Sequence, residues 1–226
     1  MSEIIDLLQH RQWLWQGSEQ AQSFERISTG IAVLDEQLQG GLPKQGIIEV
    51  QSPSGIGELK LWLSYLQAQK DLIVFINPPA HVNAHQLYHL GFDSQQLLLI
   101  QPKLEKEALW ASEQCLKSNT CSSVLLWHNT LTISQAKRLQ LASEQGGSSL
   151  FLFRSINESL FSLPVTLCLA LSAHKQGMAI TVKKQKGGWP KNTFVLNLAE
   201  YWPQLVPVAL ESGNVMSFAA SFRIAK

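Results

Sequence analysis

From Gly46 onward the chain alternates two kinds of hydrophobic pattern. Short, largely apolar runs occupy Ile47 to Gln51, Leu72 to Ile76, Leu97 to Gln101, Val124 to Trp127 and Leu150 to Phe153. Runs of that length without polar alternation predict strands covered on both faces. Between them, residues 57–69, 83–90, 105–118 and 132–145 carry apolar side chains at helical spacing, the mark of helices that bury one stripe. Strand and helix taking turns predict an α/β fold with a mostly parallel sheet flanked by helices. After Pro164 the helical pattern stops, and Thr166 to Leu171, Ala179 to Gln185 and Thr193 to Leu198 read as strands alone. They are expected to add antiparallel strands at the sheet edge near the C-terminus.

The ends pattern differently. Ser2 can cap a short helix with Ile4, Ile5 and Leu8 on one side, followed by a polar link from Gln16 to Glu25. We expect residues 1–24 to form a helical arm, 25–199 the core and 200–226 a tail. In the tail, Phe218 and Phe222 stand four apart, which on a helix puts both rings on one face and makes the segment a candidate for binding a partner.

Composition narrows the classes. With 226 residues and 45% hydrophobic content, one sizeable core is affordable in conformational terms and disorder is not expected. The formal net charge of +1 excludes a globally basic nucleic-acid binder, so any such role must rest on a local patch. Glu3 and Asp6 stand where a secretory signal would be basic, and no run reaches the roughly twenty apolar residues of a membrane helix. Cys115, Cys121 and Cys168 have neither metal nor redox spacing. His81, His85 and His89 recur every four residues without the glutamate of a zinc protease motif and read as a polar helix face. The expectation is a cytoplasmic protein with no membrane contact, no metal and no cofactor.

The stretch from Gly46 to Leu61 has the order strand, glycine turn, helix start. A Walker A loop of that shape reads Gly-x-x-x-x-Gly-Lys-Ser/Thr, because backbone N–H groups cradle phosphates, the lysine reaches the outer phosphates and the hydroxyl holds magnesium. Here those slots hold Ser52, Gly57, Glu58 and Leu59, with Gly55 inside the turn. A unit charge about 4 Å from another is worth roughly 4 kcal/mol at an effective dielectric near 20. Glutamate for lysine therefore turns attraction for a phosphate into repulsion, and Glu58 can itself fill the anion site. It also suits a helix start, where a carboxylate complements the dipole.

Upstream, Arg26-Ile27-Ser28-Thr29-Gly30 and Leu34-Asp35 lead through Gly40-Gly41-Leu42-Pro43 into the loop. This entry resembles that of the RecA recombinase core. The resemblance continues in order through Val74 to Asn77, Leu90-Gly91-Phe92-Asp93, Leu97 to Pro102, Glu107-Ala108-Leu109 and Ser123 to Leu126 to a lysine hairpin at Ile180 to Lys191. Within that superfamily, Leu14-Trp15-Gln16-Gly17, the Gly55 to Leu59 loop, Lys137 to Ala142 and Leu152-Phe153-Arg154 look like the ImuA family. That family is associated with DNA-damage-induced mutagenesis and is related to the division inhibitor SulA.

The resemblance implies a RecA-like P-loop-type core with degenerate Walker motifs. The strand that should end in a metal-holding acid ends Leu126-Trp127-His128-Asn129, the catalytic glutamate aligns with Pro79, and the phosphate-sensing glutamine falls near Phe153 to Ser155. With the Walker A loop, four elements are altered, so no catalytic residue and no ATPase activity are expected. Lys184 and Lys186 fall on lysines that in RecA face the neighbouring subunit's nucleotide, and strand alternation predicts one shared face. Together with Lys183, Lys191 and Trp189 they are candidates for partner or DNA contact, as is Arg154, the only cation between it and Pro164. DNA contact through them would be weak or indirect and salt-sensitive. The implied role is a non-catalytic accessory of SOS-induced translesion synthesis. Its implied partners are ImuB, through it a DnaE-type error-prone polymerase, and RecA, at nucleoid damage sites. Two alternatives stay open: a SulA-like division inhibitor binding FtsZ, and a residual nucleotide-binding switch.

Overall fold

The computed structural model describes residues 25–156, 162–199 and 201–202. The expected arm (1–24) and nearly all of the tail, with Phe218 and Phe222, lie outside the described residues.

The chain forms β1 (Arg26–Ile27), α1 (Ala32–Gln37), β2 (Leu42–Pro43), β3 (Gly46–Gln51), α2 (Leu63–Gln67), β4 (Leu72–Ile76), α3 (Ala84–His89), β5 (Leu97–Ile100), α4 (Glu105–Lys117), β6 (Cys121–Trp127), α5 (Ile133–Gly146), β7 (Ser149–Arg154), β8 (Leu167–His174), β9 (Gly177–Gln185) and β10 (Lys191–Asn197). β1 and β2 make a small antiparallel ribbon, and the rest form one eight-stranded sheet in the order β10-β9-β8-β3-β7-β6-β4-β5. The strands from β3 to β7 pair in parallel, as the alternation of strand and helix required.

The expectation for the last three strands needs one correction. β8 runs parallel to β3, with Ile48 opposite Leu167, and only β9 and β10 reverse direction. β8 arrives after a crossover from β7 and completes the parallel set before the hairpin begins.

Side-chain alternation divides the core into two layers. Ile48, Val50, Phe75, Leu125, Phe151 and Phe153 pack with Leu34 of α1 and Tyr65 and Leu66 of α2. Ile47, Val74, Ile76, Val124, Leu126, Leu150 and Leu152 pack on the other face with Ala108 and Leu116 of α4 and Ala136, Leu139 and Ala142 of α5. Burial on both faces is why these runs carry no alternation. β5 departs from this, because it is the sheet edge: Leu98 and Leu99 are exposed.

The Ser28-Thr29-Gly30 stretch is a staple for this core. The Asp35 carboxylate accepts the Thr29 N–H and hydroxyl, both at 2.7 Å, and the Ser28 hydroxyl at 2.5 Å. Gly30 turns the chain at φ +81, and a Cβ there would stand 2.8 Å from the Ser64 Cβ, so only glycine fits. Helix ends follow side-chain chemistry: Thr132 and Gln135 cap α5 reciprocally, and Gly147 closes it at φ 62. No helix among the described residues is long and apolar enough to cross a membrane.

Candidate functional site

Parallel strands deliver their C-terminal loops to one edge, and in open α/β sheets that edge is where ligands bind. Here the ends of β3, β4, β6 and β7 enclose a cleft of about 400 Å³ lined by Ser52, Ser54, Glu58, Asn77, Pro79, Trp127, His128 and Arg154 among others. The four altered elements picked out from the sequence therefore meet in a single cavity.

The loop after β3 is glycine-driven. Gly55 and Gly57 take φ +84 and +93, so no helix can begin before residue 58. The helix expected over 57–69 is correspondingly reduced to a 3-10 turn at Lys60–Trp62 followed by the five residues of α2. So short a helix offers little of the aligned N–H array that a phosphate would use. Glu58 lies ahead of this turn rather than opening the helix. It is 8% exposed, and both its carboxylate oxygens accept the Gly55 N–H at 3.2 Å. A loop donor that a phosphate would need is thus already taken by a carboxylate of the same loop. Ser52 is buried, its N–H donating to the Arg154 carbonyl at 2.9 Å. Leu59 is half-buried against the core.

Where a metal-holding acid would end β6, Trp127 stacks on Phe153 of β7, centroids 4.6 Å apart and planes 11° from parallel, and faces Phe75 of β4 at 6.4 Å and 15°. Three adjacent strands thus carry an aromatic ladder, of which Trp127 and Phe153 line the cleft. Pro79 brings no polar side-chain atom. Next to the ladder, the His128 side chain is 2% exposed and neither ring nitrogen has a hydrogen-bond partner. The Glu105 carboxylate, on α4, approaches its Nε2 at 4.0 Å.

Burial pulls the His128 pKa below its ordinary 6.5; Glu105 opposes the shift and Arg154 adds to it. The unfolded chain therefore takes up a proton that the folded chain refuses. Stability is fully present above about pH 6.5 and is lost as pH falls from there through the folded value. Urea titrations between pH 7.5 and 5 are expected to show this loss, and His128→Gln to flatten the slope.

Arg154 sits differently from its expected role as a contact residue. Its Nη1 donates to Glu49 Oε1 at 2.8 Å, with side chains 10% and 3% exposed, while Nε and Nη2 donate to the Asn129 carbonyl at 3.3 and 2.9 Å. The guanidinium is used inside the protein, holding β7 to β3 and to the loop after β6. Glu49, a lone acid in an apolar strand, was the overlooked signal for this pairing.

The lysine hairpin lies toward the other end of the sheet. Gln185 pairs with Leu167, which pairs with Ile48, so the turn at 186–190 points toward the edge where β3 begins, away from the cleft. A bulge between Cys168 and Leu169 inserts Lys183 into β9 ahead of Lys184 and Lys186, which flank the buried Gln185. Lys183 donates to Gln51 Oε1 at 2.8 Å and Lys184 to the Leu163 carbonyl at 2.9 Å. Lys184 is thus engaged by the protein's own backbone. Lys186 is exposed and Lys191 half-exposed. Trp189 is 83% exposed, so it does not cap the core and remains the clearest contact candidate of the hairpin. Below it, burial and then Glu49 push the Cys168 thiol up to about 12.

Of the histidines, His81 precedes α3 while His85 and His89 share its face, ring nitrogens 2.9 Å apart. Among the described residues no group of three or more His, Cys, Asp or Glu side chains could hold a metal.

The family described as RecA N-terminal domain matches residues 6–137. RecA of Helicobacter pylori (strain G27) is 33% identical over 114 residues, covering 49% of this chain and 33% of that protein. RecA of Synechococcus elongatus is 33% identical over 105 residues, covering 45% and 30%. The chain spans about a third of the length of these relatives. Among solved structures, SulA from Pseudomonas aeruginosa superposes with a TM-score of 0.41 and 25% identity, over 48% of this chain and 98% of that one.

Proposed function

The chain belongs to the RecA N-terminal domain family, and we propose that it serves there as a non-catalytic accessory protein of SOS-induced translesion synthesis and mutagenesis, in the manner of ImuA. It acts by protein contacts with ImuB, through it with a DnaE-type error-prone polymerase, and with RecA itself. The observation that carries this reading is the hydrogen bond from the Gly55 N–H to Glu58. It places a carboxylate of the loop on a donor that a nucleotide phosphate would require, where charge repulsion excludes a second anion. Trp127 and Pro79, standing where a metal-holding acid and a water-orienting acid would be needed, support it. The exposed Trp189 supplies the kind of anchor that protein interfaces favour. No nucleotide cofactor and no metal enter the proposal.

Affinity purification of the tagged full chain from cells treated with a DNA-damaging agent tests it. Recovery of ImuB or RecA, lost or reduced several-fold in Trp189→Ala for a contact made through the hairpin, is the expected result. Recovery of FtsZ with neither of them would move the protein to the division-inhibitor class. Calorimetry with magnesium and ATP is expected to show no binding tighter than about 100 µM, near 5.5 kcal/mol.

A further inference from the structure

We infer that the cleft at the ends of β3, β4, β6 and β7 is a receptor for an arginine side chain carried by a protein partner. The inference rests on the reading above that no nucleotide occupies this cleft.

Charge comes first. Two carboxylates face the cavity, Glu58 and Glu105. Glu58 is buried with the Gly55 N–H as its donor and no cation paired to it among the described residues. Glu105 receives the Thr130 hydroxyl at 3.0 Å. The guanidinium of Arg154 does not offset them, being already neutralised by Glu49. The cavity therefore carries uncompensated negative charge and favours a cation.

The second observation is a buried histidine beside the acids, its Nε2 4.0 Å from Glu105. His128 lines the cavity with its side chain 2% exposed and both ring nitrogens unpartnered. A buried polar group without a partner is costly unless something arrives to bond it. Its lowered pKa makes the ring neutral at physiological pH, so one nitrogen is an acceptor waiting for a donor. The wall adds shape rather than a stacking face: Trp127 lines the cavity with Phe153 on one side and Phe75 on the other.

A guanidinium matches both polar observations. It presents five donors in a planar fork that can serve a carboxylate and the His128 nitrogen at once, whereas an ammonium is a compact point charge. Free arginine is disfavoured, because the one cation lining the cavity among the described residues is not available to its α-carboxylate: Arg154 is committed to Glu49 and Asn129. The occupant is an arginine whose own carboxylate is tied up in a peptide bond.

The test follows the His128 ring signals of the full chain by NMR, assigned with His128→Gln. The probes are N-acetyl-arginine N-methylamide, the corresponding lysine amide, free arginine and magnesium ATP. The arginine amide is expected to shift His128 saturably, with the lysine amide and free arginine several-fold weaker. Glu58→Gln, whose amide oxygen can still accept the Gly55 N–H, is expected to weaken the arginine amide about tenfold or more, as for loss of a charge-assisted bond. Glu105→Gln, on the surface, is expected to weaken it only about two- to fivefold. No shift with the arginine amide, an unchanged affinity in folded Glu58→Gln, or equal response to free arginine would each overturn the inference. A shift caused by ATP would instead remove the non-catalytic reading beneath it, so the two failures are distinguishable.

Discussion

Arg154→Ala is expected to destabilise the protein by about 3–5 kcal/mol, the range for removing one partner of a buried ion pair. The size follows from what remains. Glu49 is 3% exposed on the face covered by α4 and α5, and without the guanidinium its carboxylate keeps the neutral Gln51 amide, at 3.0 Å, and the Cys168 thiol, but no cation. The Asn129 carbonyl also loses its two donors. At roughly 2–4 °C per kcal/mol for a chain of this size, the melting temperature should fall by about 6–20 °C. Glu49→Met with Arg154→Met should recover most of that, since a well-packed apolar pair avoids the desolvation that both charges suffer. Thermal melts of Arg154→Ala and of the double variant decide the matter; a single variant that melts within about 2 °C of the parent would show that the pair is solvated and adds little.

This ion pair marks the boundary of what the amino-acid sequence could reveal. The five parallel runs from Ile47 to Phe153 were legible by their continuous apolar signature, which burial on both faces explains for all but the edge strand β5, and all five formed strands. The direction of β8 was not, because a strand's own residues do not say which neighbour it will meet; the crossover after Arg154 decides that. The helix after Gly57 was over-read, since apolar spacing at Leu59, Leu63 and Leu66 says nothing about two glycines at positive φ just before it. Lys183 shows a related limit in a strand: nothing in its own residues announces the bulge opposite Cys168 and Leu169 that sets Lys183 and Lys184 side by side between buried Val182 and Gln185. The cleft was legible as four substitutions scattered over a hundred residues, while its occupants were not. Glu105 and His128 meet only because α4 and the end of β6 reach the same edge, a fact of topology rather than of spacing.

Reinstalling the ATPase residues should damage the fold without restoring the chemistry. In the triple variant Glu58→Lys, Leu59→Thr, Trp127→Asp, the last change has the largest effect. It removes the middle ring of the Phe75–Trp127–Phe153 ladder, and truncating a packed tryptophan typically costs about 3–5 kcal/mol. It also sets a carboxylate between two aromatic rings, with Arg154 already committed to Glu49. Leu59→Thr removes apolar contact with the core, and Glu58→Lys takes away the acceptor that holds the Gly55 N–H. Against these losses little is gained, because Pro79 cannot orient an attacking water and the turn at Lys60–Trp62 with five-residue α2 gives a phosphate few aligned N–H groups. The expected outcome is a melting temperature lowered by roughly 6 °C or more, and no phosphate release from ATP above the buffer rate in a coupled assay. Turnover in that variant would mean that changes in the loop and at the end of β6 suffice for ATP hydrolysis on this fold, with Pro79 and the end of β7 left as they are.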